Sequence, residues 1–202
     1  MAAAEASAPA GAAISAAVAR RATGDGTEFG TTTMWKRIKR ILRHRWLDDS
    51  GARRAITPAM LQRLAQRVSA SEKRHSGEVR ICVEAGLPIS YLWRDASARE
   101  RAVMMFAKLR VWDTEHNNGV LIYLLLAEHA IELVADRGLN QHVSVEEWRG
   151  MVRHLGTALR DGRVEDGLTQ ALEEVSAVLV RHFPLAAGQH NPNELPDSPV
   201  MN

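Results

Sequence analysis

With 202 residues and 46% hydrophobic content the chain can bury one sizeable core, and its single cysteine, Cys82, excludes an internal disulfide framework. No apolar run approaches the roughly 18–20 residues that cross a bilayer as a helix. The formal charge of +2 hides an asymmetry: residues 34–46 hold six of the 26 Lys and Arg and no acid, leaving 20 basic against 24 acidic residues elsewhere, so the basic pI gives no reason to expect nucleic-acid binding by the rest of the chain.

Residues 1–33 are rich in Ala, Gly, Ser and Thr without sustained periodicity, the composition of a disordered tail. No basic segment precedes these small residues, as it would in a secretory leader, and the expected location is cytoplasmic. Residues 34–50 form a basic amphipathic segment. At about 100° per residue, Trp35, Ile38, Leu42 and Trp46 share a stripe widened by Met34 and Ile41, while Lys36, Lys39, Arg40 and Arg43 take the other side. This composition suits a helix lying in a membrane interface, with tryptophans at headgroup level and cations toward anionic lipid. Docking of the same stripe on the domain core is the alternative. Nucleic-acid binding has no supporting motif.

A folded domain is expected over 52–184. Thr57-Pro58 is an N-cap followed by proline at the first helical position, and Leu61, Leu64, Ala65 and Val68 continue at helical spacing. Val79, Ile81 and Val83 then alternate with Glu78, Arg80, Cys82 and Glu84, as in a strand covered well on one face. Ser97 and Glu100 form a capping box for a helix that ends near Trp112. Gly119–Leu126 is uncharged throughout, so this second strand is buried on both faces and central in its sheet. A tight turn at Glu128-His129 returns the chain through a third strand, Ala130–Asp136. Ser144 and Glu147 open a helix burying Trp148, Met151, Val152, Leu155 and Leu159, which Gly162 stops. A last helix uses Leu168, Ala171, Leu172, Val175 and Leu179 before Pro184. Residues 185–202, with three prolines, have the composition of a second disordered tail.

A strand, a crossover helix and another strand make a right-handed parallel unit, and the tight turn makes the third strand antiparallel. The prediction is sheet order 1-2-3 with helices on both faces, a small three-layer α/β domain. This topology gathers Glu78, Asn118 and Asp136 on one rim, with Asp136 opposite Leu121 and with Asp113 approaching from the connecting loop. Carboxylate and amide oxygens of this kind suit a hard cation, Ca²⁺ or alternatively Mg²⁺. Asn118-Gly119 as a plain turn and Asp136 as a cap are the competing readings. No Walker A, G-x-S-x-G, C-x-x-C or H-E-x-x-H motif is present, and Cys82 falls in an apolar strand as an inert thiol would.

The runs SGEVRICVE, NNGVLIYLLLAEHAIELVADRGLNQHV, EEWRGMV and RDGRVEDGLTQALEEV resemble the TPM-domain family, also called TPM phosphatase, over about residues 56–184. The resemblance implies a Rossmann-like α/β/α sandwich, divalent-cation binding, notably of Ca²⁺, and an acid-phosphatase activity. By motif match it carries over Glu78, Asn118 and Asp136. The resulting expectation is an accessory or binding module peripheral to the inner face of the membrane, with an anionic surface or a membrane protein as partner. A weak metal-assisted phosphomonoester hydrolase is the alternative, for which no nucleophile is evident.

Overall fold

The computed structural model describes residues 31–46, 56–186 and 188–202. The expected N-terminal tail lies outside them except for residues 31–33, which begin the first helix, α1 (Thr31–Trp46). Residues 47–50 of the basic segment and 52–55 of the expected domain also lie outside.

Thr57 caps α2 (Pro58–Glu72) as its sequence requires, its hydroxyl accepting the Met60 N–H at 3.2 Å. Met60, Leu64 and Val68 form the buried side of α2, which leads into β1 (Val79–Glu84). A short α3 (Ile89–Trp93), absent from the sequence reading, precedes α4 (Ala98–Lys108). Both halves of the Ser97/Glu100 capping box are formed. α4 stops before Trp112 because Arg110 adopts a left-handed φ of 55°. Then follow β2 (Val120–Leu125), β3 (Ala130–Ala135), a four-residue α5 (Arg137–Asn140), α6 (Val145–Arg160), α7 (Val164–His182) and β4 (Val200–Met201). Gly162, with φ of 74°, separates α6 from α7 as expected.

The four strands form one mixed sheet in the order β3-β2-β1-β4, with β1 parallel to β2 and β4 and with β2 antiparallel to β3. Two expectations are corrected here. The β2–β3 connection is a 3-10 turn, Leu126–Glu128, closed by His129 at φ of 49°, not a two-residue hairpin. Leu125 therefore pairs with Ala130 and Leu121 with Val134, which moves Asp136 away from Leu121. The second correction concerns residues 185–202, read by composition as a tail. Leu195 is buried and Val200–Met201 pair with Cys82 and Val83, so this segment extends the sheet by a strand.

Alternation along the strands sorts the core into two clusters. Val79, Ile81 and Val83 join Val120, Ile122 and Leu124 against α2, α6 and α7. Cys82, Leu121, Tyr123 and Leu125 join Leu92 of α3, Ala102 and Met105 of α4, and Val111. Every residue of β1 and β2 is buried, so β1 is covered on both faces and not on one. Its charged residue Glu84 can sit there because Arg101 Nε donates to its Oε2 at 2.7 Å and Tyr123 Oη donates to the same oxygen at 2.7 Å. The Cys82 thiol, wholly buried, is pushed up to about 12, as an inert cysteine should be.

Gly119 is the tightest point of this packing, since a methyl group there would collide with the carbonyl oxygen of Val111. Gly119→Ala should cost about 3 kcal/mol, the upper end of overpacking, read as a lower urea midpoint at unchanged slope.

Candidate functional site

The predicted rim lies where β1 and β2 begin and β3 ends. Val120 N–H donates to Glu78 O at 2.8 Å and Asp136 N–H to Gly119 O at 2.9 Å, so Glu78, Gly119 and Asp136 step across three neighbouring strands. At ~4.8 Å per strand, the backbones of Glu78 and Asp136 are about 10 Å apart. Val111 lies against Gly119. The Glu78 carboxylate accepts the Leu195 N–H at 3.2 Å. Asn118 Nδ2 turns to Ser76 Oγ at 3.3 Å, and the left-handed Asn117 (φ 52°) makes the turn ahead of it. Asp136 caps α5 by accepting the Arg137 N–H at 2.6 Å. Asp113 is half-exposed, 4.0 Å from Arg110.

Three buried oxygens on these residues lack hydrogen-bond partners: Glu78 Oε1, Asn118 Oδ1 and Asp136 Oδ2. A Ca²⁺ ion would draw six to eight oxygens to about 2.3–2.6 Å from one point. Here the 116–118 loop joins the two ends of the rim, since Arg137 Nε donates to Asn117 Oδ1 at 3.0 Å on the Asp136 side and Asn118 bonds Ser76 on the Glu78 side; among the described residues no group of three or more His, Cys, Asp or Glu is placed to hold a metal. Glu78, Asn118 and Asp136 thus lie along one edge of the sheet, each with a buried oxygen lacking a protein partner, and Asp113 lies in the loop before β2. Burial pushes the carboxyls of Glu78 and Asp136 above their ordinary range, opposed at Glu78 by the backbone N–H groups of Glu194 and Leu195 and at Asp136 by that of Arg137.

The C-terminal segment accounts for much of what the sequence reading missed. Asn191 Nδ2 donates to His75 O at 3.2 Å and to Gly77 O at 3.3 Å, and Glu115 N–H donates to Glu194 Oε2 at 3.0 Å. Under this segment Glu72 is 4% exposed, its Oε1 accepting the Val79 N–H at 3.0 Å. Burial, together with the neighbouring carboxylates of Glu78 and Asp197, pushes Glu72 up to about 9. Nearby, Ser71 Oγ lies 2.8 Å from His75 Nε2 while His75 Nδ1–H donates to Gly77 O at 3.0 Å, the outline of a serine–histidine pair. Both side chains are buried and Ser71 also bonds Ser176 of α7, so the pair joins α2 to α7 and offers no nucleophile to a substrate. Burial lowers His75 to about 4.

At the other end of the sheet, α1 is attached by its polar side. Leu87 N–H donates to His44 Nδ1 at 2.9 Å, leaving Nε2 to donate to Glu128 Oε1 at 3.0 Å. Arg40 Nε meets the same Glu128 oxygen at 2.7 Å, its Nη1 meets Asp95 at 2.7 Å, and its Nη2 donates to Ala96 O at 2.6 Å. Burial would raise the Glu128 carboxyl, but the bonds from His44 and Arg40 outweigh it and hold the group below its ordinary range. Gly86 permits the approach, since a Cβ there would lie 3.0 Å from His44 O. Arg40, predicted to face lipid, is therefore turned inward. The predicted apolar stripe does the reverse: Met34, Trp35, Ile38 and Leu42 are 65%, 64%, 40% and 50% exposed, and Ile41 alone among the described α1 side chains joins the core. Lys39 and Arg43 are exposed beside that stripe. The side chains of Lys36 and Trp46 lie outside the described part of the structure.

The family model described as the TPM domain matches residues 52–178. Among solved structures, the BA42 protein of the psychrophilic bacterium Bizionia argentinensis, determined by NMR, aligns with a TM-score of 0.64 and 24% identity over 73% of this chain and 95% of its own. That likeness establishes a shared fold. No curated protein matches the chain.

Two outcomes follow from the buried carboxyls and the rim. In the fold Glu72 keeps its proton to about 9 against an ordinary 4.5, so its contribution to stability is complete below 4.5 and lost as pH rises toward 9. Thermal melts of Glu72→Gln should therefore decline less than the parent over that window. His75 acts in the opposite sense, removing stability as pH falls from 6.5 toward 4. In a Ca²⁺ titration followed by melting temperature, Asp136→Asn should shift less than the parent if Asp136 is a ligand; identical shifts would remove it as one.

Proposed function

The chain belongs to the TPM-domain family, and from that premise we propose that it is a non-enzymatic accessory module that docks on an anionic membrane surface through α1. The supporting observation is the inverted attachment of that helix. Arg40 and His44 hold it to the domain by ion pairing and hydrogen bonds, and its apolar stripe remains in solvent. On a helical wheel the stripe of Trp35, Ile38 and Leu42 lies opposite the Arg40–His44 side, with Lys39 and Arg43 at its margin. An apolar face bordered by cations is the arrangement that binds a lipid interface.

No helix among the described residues is long and apolar enough to cross a membrane, so attachment in this reading is peripheral, at the inner face of a cytoplasmic membrane, where a membrane protein would be the partner. The apolar clusters on the two sheet faces support reading the domain as a Rossmann-like three-layer α/β/α sandwich. Metal-assisted phosphomonoester hydrolysis, the alternative, would need Ca²⁺ or Mg²⁺ held beside an activated water. Glu78, Asp113, Asn118 and Asp136 would be its candidate ligands, but no nucleophile is evident beside them, and binding is the reading favoured here.

Each Lys or Arg close to an anionic surface contributes about 1 kcal/mol. Lys39→Glu with Arg43→Glu should therefore weaken binding to anionic vesicles at low salt by about thirtyfold or more, with the circular-dichroism spectrum unchanged. Equal binding by parent and charge-reversed chain would show that α1 does not face lipid.

A further inference from the structure

α3 packs beside α1 and also turns an apolar side outward. Leu92 is buried in the cluster under the sheet, whereas Ile89 and Trp93, four residues apart on one helical face, are 56% and 76% exposed. Both helices sit at the end of the sheet where β1 and β2 finish. α1 is fastened there to Leu87, Asp95, Ala96 and Glu128, and α3 lies between those contact points in sequence. Each helix directs its opposite side inward, Leu92 in one case and Arg40 with His44 in the other, so the two outward faces adjoin. Together they make an exposed apolar patch, while most other large hydrophobics among the described residues are buried, and such patches mark contact surfaces.

We propose that Ile89 and Trp93 form a second lipid anchor, so that the protein docks on an anionic bilayer with the finishing ends of β1 and β2 toward the membrane. The rim of Glu78 and Asp136 then faces away from it. The inference rests on the reading of α1 given above and adds an orientation to it. One surface helix leaves the body free to roll about the helix axis, whereas a second, separate anchor fixes the tilt. Charge at this end favours lipid over a protein groove. The acids Asp95 and Glu128 are paired with Arg40, while Arg37, Lys39 and Arg43 remain exposed, so the outward-facing charge is positive and suited to lipid phosphates. An indole as exposed as that of Trp93 has the amphipathic character that settles at headgroup depth. Trp112, 51% exposed just before the rim at the opposite end, supplies an internal control.

The test is sedimentation of the full chain with vesicles of equal phosphatidylglycerol and phosphatidylcholine. It compares the parent with Ile89→Ser/Trp93→Ala, with Trp35→Ala/Leu42→Ser and with Trp112→Ala. All five positions are substantially exposed, so the variants should keep the parental circular-dichroism spectrum. Ile89→Ser/Trp93→Ala should partition about tenfold more weakly, and Trp112→Ala as the parent does. An environment-sensitive dye on Ser90→Cys should shift to the blue on vesicle addition. If Ile89→Ser/Trp93→Ala binds as the parent while Trp35→Ala/Leu42→Ser does not, α3 is no anchor and the α1 reading stands alone. A loss in Trp112→Ala equal to that in the α3 variant overturns the orientation. Absence of vesicle binding by the parent overturns both readings.

Discussion

Burial of β1 and β2 on both faces is the constraint from which the rest of the architecture follows. A strand covered on both sides needs helices above and below it, and the two core clusters are the result. The same constraint governs the charges. Arg80 and Glu84 of β1 point away from α2 and α7 into the second cluster, where an unpaired charge would be costly to desolvate. Glu84 is matched by the forked guanidinium of Arg101 and by Tyr123 Oη, which ties α4 to β1 and β1 to β2. Glu132 of β3 is only loosely matched, by Arg99 at 3.5 Å, and burial pushes it up to about 7.

Much of this frame was legible in the sequence where the deciding interactions are local. Thr57 before Pro58, Ser97 with Glu100, and Gly162 between two periodic runs each act within one helical turn, and each is found where expected. The continuous apolarity of β2 also reported its central place directly. Legibility failed where the deciding contact is distant in sequence or where two turns compete. Glu128-His129 can close a two-residue hairpin or follow a 3-10 turn; the choice moves the register by two residues and leaves each side chain on the face expected for it, so alternation could not arbitrate. Prolines and asparagines near the C-terminus read as a tail because pairing of Val200 with Cys82 spans most of the domain.

The candidate site was legible in its placement on one edge and not in its geometry. Glu78, Asn118 and Asp136 are all at strand ends, as topology requires. Which way each side chain turns depends on Leu195, Ser76 and Arg137, contacts that strand spacing does not encode. For α1 the periodicity separated apolar from polar residues but left two placements of the stripe open, toward lipid or on the domain core, and it did not show that Arg40 would turn inward. Arg40 and His44 find a carboxylate, a backbone carbonyl and a backbone amide at the end of the sheet, a match of donors and acceptors that outweighs burial of the stripe.

The two-residue strand β4 has one more consequence. β1 carries six residues, and only two of them are covered on the outer side by β4 pairing, although Glu72 Oε1 occupies the Val79 N–H and Ala85 N–H reaches Asn202 O. Unpaired backbone along a sheet margin is a template for adding strands from other chains, which is how intermolecular β-assembly begins. Here the margin is guarded piecemeal, by a carboxyl oxygen at one end and a short strand at the other, with Pro196 and Pro199 unable to extend a ladder. The C-terminal segment thus acts as a selvedge for the β1 side of the sheet, whose other margin is β3.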